Sequence, residues 1–146
     1  MRRIRRLVTA AVLVGSLVVP VSAALADGGA QKVPLQHDVE GSCFSGAPPG
    51  PGVNGFATIH ENGSGTLIAE VALKNAHPNT TYDVVLTQTP SGFGCGTPVG
   101  TLTTNTRGNG NANIHEAAQP GTTDAFVLVI REAPFDFYQT QDVPVS

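Results

Sequence analysis

Thr66-Leu67-Ile68-Ala69-Glu70-Val71-Ala72-Leu73-Lys74 decides the fold. Leu67, Ala69, Val71 and Leu73 fall on one side of an extended chain, and Ile68, Glu70, Ala72 and Lys74 fall on the other. Successive side chains of a strand point to opposite faces, so this period of two reads as a strand with one buried face. Residues 55–61 precede it, across Asn62-Gly63-Ser64-Gly65. Gly in such a turn permits positive φ, and the two segments read as a hairpin.

The same alternation continues outward. Residues 124–132 set Phe126, Leu128 and Ile130 against Ala125, Val127, Val129 and Arg131. Apolar residues on both faces mark a central strand. Tyr82, Val84 and Leu86 share a face in 81–89, and 99–104 is β-branched and Thr-rich. Residues 105–110, His77-Pro78-Asn79 and Gln119-Pro120-Gly121 read as turns. Asn62-Gly63-Ser64 and Asn79-Thr80-Thr81 match the glycosylation sequon but sit where Asn serves a turn. No 3.6-residue apolar repeat follows residue 26. The expectation is an all-β domain, a Greek-key sandwich of about seven to nine strands. Three segments read as loops: 45–54, 90–97 and 133–138. A short repeat, G-x-A-x-I-H-E, occurs at 55–61 and at 110–116; it is read as coincidence, because the flanking segments match poorly.

The first 26 residues have a different character. Arg2, Arg3, Arg5 and Arg6 precede an almost wholly apolar run, 7–21, and Ala24-Leu25-Ala26 supplies the small residues a signal peptidase accepts. A helical leader cleaved after Ala26 and a secreted bacterial protein are expected. A flexible tail, 27–31, and one domain, 32–146, would remain. The mature chain of 120 residues holds four basic side chains against eleven acidic ones, a net −7 with neutral His. Such a surface repels nucleic acid and anionic membranes. Cys43 and Cys95 are the two cysteines of an exported chain and read as one disulfide. It would close a loop of about 50 residues, valued at about 4 kcal/mol by chain entropy.

Leu67-x-Ala69-x-Val71-x-Leu73, Pro78-Asn79-x-x-Tyr82-x-Val84, Gly100-x-Leu102-x-Thr104 and Gly108-x-Gly110-x-Ala112 together resemble a pattern in small, mostly uncharacterised secreted bacterial β-sandwich proteins. The resemblance covers roughly half of the chain. It implies an immunoglobulin-like sandwich and carries no catalytic or ligand residue with it. The metal strand of copper–zinc superoxide dismutases needs His at two positions two apart; beside His60 that partner position holds Thr58, so the assignment fails.

Candidate functional residues are few. His60 and His115 are the weak candidates for a metal, and each is followed by a Glu on the opposite face of its strand. No Ser elbow, catalytic set or cofactor motif is present in the sequence. Phe93 beside Cys95, together with Phe135, Phe137 and Tyr138, offers loop aromatics that serve either as binding anchors or as caps of the core. Binding rings would be exposed and capping rings buried. The expected function is a secreted, non-catalytic binding or cell-surface interaction module, monomeric and without a cofactor, which acts through the loop end at Cys43 and Cys95 with Phe93 as its anchor and whose partner is an unknown protein or cell-surface ligand. Two alternatives stand beside it. One is a small metal-dependent enzyme or metal-binding protein using His60 and His115. The other is a proteinase inhibitor using the loop bounded by Pro90 and Thr97.

Overall fold

The computed structural model describes residues 29–37, 52–89 and 96–145. These form nine strands and no helix: β1 (Gln31–His37), β2 (Val53–Glu61), β3 (Thr66–Leu73), β4 (Thr81–Thr89), β5 (Gly100–Thr103), β6 (Gly110–Ala117), β7 (Asp124–Arg131), β8 (Asp136–Gln139) and β9 (Val143–Pro144). The all-β expectation holds. All pairings are antiparallel, in the order β5-β4-β7-β8-β1-β2-β3-β6, with β9 added beside β7. β7, apolar on both faces, is the central strand that its sequence predicts: it pairs with β4, β8 and β9.

The connectivity departs from the expected immunoglobulin-like Greek key. In that sandwich the second strand lies between the first and the fifth. Here β2 lies between β1 and β3. The cause is local. Asn62 Oδ1 accepts hydrogen bonds from the backbone N–H groups of Ser64 and Thr66, both at 3.0 Å, and from Ser64 Oγ at 2.7 Å. Gly65 takes φ 73°. The chain is thereby returned into the same sheet rather than across to another. The β5–β6 turn repeats this chemistry, with Asn105 Oδ1 accepting from Arg107 N and Asn109 N and with Gly108 at φ 74°.

The sheet is nearly closed. Its two edge strands, β5 and β6, lie against each other. Glycines allow the approach: a Cβ on Gly100 would strike Ile114, and one on Gly110 would strike Leu102 and the Thr103 carbonyl. The inward side chains of β2, β3, β4, β6 and β7 form one core that includes Ile59, Val71, Tyr82, Val84, Ile114 and Val127. A second, smaller cluster of Val85, Phe126, Leu128 and Phe137 lies on the other face of β4, β7 and β8. Gly96 sits tightly over Val85 on that face.

Register explains the short repeat. β2 and β6 flank β3, and the two copies of G-x-A-x-I-H-E meet the same β3 residues. Leu73 lies between Gly55 and Gly110, Val71 between Ala57 and Ala112, and Ala69 between Ile59 and Ile114. A large residue on β3 meets two small neighbours, and a small one meets two large. Close packing at three successive levels requires the same side-chain sizes on both sides.

Two boundaries shift. β1 starts at Gln31, inside the stretch expected to be a tail, and Gln31 Nε2 donates to Pro144 O at 2.8 Å. Phe137 and Tyr138, expected in a loop, belong to β8. The leader, Cys43, Phe93 and Cys95 lie outside the described residues.

Candidate functional site

One end of the sheet gathers a polar network around Asp136, which is 4% exposed. β1 ends there at His37, β7 at Arg131, and β8 begins there. Alternation along β8 turns Asp136 and Tyr138 to the same side. Tyr82 OH donates to Asp136 Oδ2 at 2.6 Å and accepts from His77 N at 3.2 Å. Tyr138 OH donates to the same oxygen at 3.3 Å. His37 Nε2 lies 3.0 Å from Oδ1, while His77 Nε2 and Arg131 Nη2 each stand 3.8 Å from Oδ2. Thr104 Oγ1 donates to His77 O at 2.6 Å and holds the turn before β4.

Burial, reinforced by the Asp136 carboxylate, pushes the Tyr82 phenol up to about 12. Tyr138 is pushed up as well, first by burial and then by the same carboxylate. Both phenols therefore stay protonated and donate. A buried carboxylate is costly unless it is paired and hydrogen-bonded, and this one is satisfied from four chain segments. The network's first consequence is structural: it locks the ends of β1, β7 and β8 to the turn before β4.

An open pocket of about 440 Å³ adjoins the network, lined by His37, Asn54, Asn75, His77, Asp136 and Tyr138 among others. Its described lining has no Ser, Thr or Cys to act as a nucleophile. Asp136 Oδ1, 3.0 Å from Nε2, orients the His37 imidazole. Sequence reasoning did not single out Asp136. The available signal was a carboxylate and a Tyr two residues apart, Asp136-x-Tyr138, in an otherwise apolar and aromatic segment.

A second concavity, of about 560 Å³, lies on the outer face of β1, β2, β3 and β6. Register sets its layout. One row across the strands is Pro34, Phe56, Ala72 and Asn111; the next is Lys32, Thr58, Glu70 and Asn113. Small Ala72 forms the floor. Phe56 is 38% exposed, and Lys32 Nζ stands 4.4 Å from its ring centroid. Lys74 closes one corner. Among the described residues, no ion pair engages Lys32, Lys74 or Glu70.

The residues singled out from sequence scatter. His60 and His115 share this outer face one row further along, with Ile68 of β3 between them. Their strands are not neighbours, and no group of three metal-ligating side chains is assembled among the described residues. The aromatic cluster divides. Phe137 is buried in the second hydrophobic cluster, Tyr138 is buried on the opposite face of β8, and only Phe135, 59% exposed, reaches solvent. Phe135 stacks on Phe137, with ring centroids 6.0 Å apart. By the exposure criterion, Phe137 and Tyr138 are core rings. Comparison with family models, with curated proteins and with solved structures finds no match.

Proposed function

We propose that the chain is an exported, non-catalytic binding module that works through the outer face of β1, β2, β3 and β6. In this reading the leader is removed after Ala26, and Cys43 and Cys95 form one disulfide. The observation that carries the proposal is the groove on this face: an exposed ring and three charges with no ion-pair partner among the described residues surround a floor of small residues. The alternative surface, around Asp136, has its strongest donors and acceptors already committed to one another. A face built from rigid strands fixes the backbone under its groups, so only side chains are ordered on binding.

Amide shift mapping of the mature protein tests the reading. The titrants are a panel of neutral oligosaccharides, acidic oligosaccharides and short peptides. Shifts centred on Phe56, Ala72, Asn111 and Asn113 are expected with at least one class. Shifts confined to the His37 and His77 end, or none with any titrant, would overturn it. Amino-terminal sequencing of protein from the culture medium is expected to begin at Asp27, and mass spectrometry after alkylation to find both thiols blocked.

A further inference from the structure

We infer that the groove on β1, β2, β3 and β6 takes a carboxylated saccharide, a chain of uronic-acid type. The inference rests on reading this face as the binding surface. Charge distribution is its first support. The mature chain is net negative and has only four Lys and Arg side chains. Arg131 is engaged at Asp136 and Arg107 occupies the β5–β6 turn. The remaining two, Lys32 and Lys74, both line this one groove and have no carboxylate partner among the described residues. Two ammonium groups side by side in one groove of an acidic protein make a local field that favours an anion.

Pre-organisation is the second support. The Lys32 ammonium lies over the Phe56 ring at 4.4 Å. The ring quadrupole holds the cation in place, so less side-chain entropy is lost when a carboxylate arrives. Thr58, Asn111 and Asn113 add a hydroxyl and two amides along the same rows. These donors and acceptors suit sugar hydroxyls. A peptide is served less well. The groove offers one exposed ring and no deep apolar pocket for an anchor. Strand addition is also hindered along part of the β6 edge, because β5 lies against β6.

Glu70 makes the inference falsifiable. It lies in the same row as Lys32 and repels a carboxylate, so Glu70→Gln is expected to tighten an acidic ligand about two- to five-fold. Calorimetry on the mature protein at low salt, with a galacturonic acid tetramer and its carboxyl-reduced neutral counterpart, is the test. The tetramer is expected to bind and the neutral form to bind at least several-fold more weakly. Lys32→Gln and Lys74→Gln are each expected to weaken the acidic ligand, and Glu70→Gln to strengthen it. Equal binding of both oligomers, with no gain in Glu70→Gln, would overturn the acidic ligand while leaving the face intact. Preference for an acidic peptide over both oligomers would do the same. Loss of binding to every titrant would remove the face reading as well. All three substitutions are at exposed positions, and an unchanged circular dichroism spectrum is expected for each.

Discussion

His60 and His115 stand level with each other on either side of Ile68, each one strand away from it. The relationship extends the packing rule that governs the inward faces of β2, β3 and β6. Ala69 is the narrow point of β3, and it is filled from both sides by Ile59 and Ile114. Ala69→Leu has no space to enter and is expected to destabilise the fold by about 1–3 kcal/mol, read as a lower urea midpoint at unchanged slope. An unchanged midpoint would show that the two isoleucines do not fill this level.

Asp136 is the acceptor on which Tyr82, Tyr138 and His37 converge. Asp136→Ala removes that acceptor and leaves buried donors without a partner. A loss of about 3 kcal/mol or more is expected, measured by denaturant unfolding. A loss below about 1 kcal/mol, the worth of an ordinary surface pair, would reduce the network to a surface feature.

Alkaline pH gives an independent reading of the same cluster. The Tyr82 phenol moves from 10.0 to about 12 on folding. Between those values the folded chain keeps a proton that the unfolded chain has released. Stability from this group is therefore full below pH 10 and falls as pH rises toward 12. Tyr82→Phe is expected to lose stability less steeply over that window than the parent chain does. Equal steepness in the two proteins would remove the phenol from the account.

Phe135 and Phe137 separate two roles that adjacent rings in sequence leave merged. Phe137→Ala is expected to cost about 3–5 kcal/mol, because it empties a buried site. Phe135→Ala is expected to stay within about 1 kcal/mol, because its ring is exposed. Thermal unfolding of the two variants distinguishes them, and similar losses would contradict the burial of Phe137 alone.

What was legible in the sequence follows from what is local. Alternation placed β3, which buries every second side chain, and β4, which does so at its start; the apolar run of β7, buried on both faces, marked it as a central strand. Turn chemistry at Asn62 and Asn105 was equally plain. β1 was harder to see: Pro34 interrupts it, and its pairing with β2 slips between Pro34 and Gln36. Strand order was not legible, since the immunoglobulin-like arrangement and the observed one use similar strands. The G-x-A-x-I-H-E repeat carries information on register, but only once both copies are known to flank one strand. The Asp136 network reaches residues 54 and 99 positions away in the chain, and no spacing rule links them. The groove was hidden for the same reason. Lys32, Phe56, Glu70 and Asn113 meet only through three strand pairings.

In the proposed reading, ligand binds the outer face of β1, β2, β3 and β6, while the Asp136 end holds the fold together. The most direct test is the calorimetric affinity of Asn113→Ala and of His77→Gln for the galacturonic acid tetramer. Affinity is expected to fall several-fold in Asn113→Ala and to stay at the parent value in His77→Gln. The reverse pattern, with binding lost at His77 and kept at Asn113, would contradict the account.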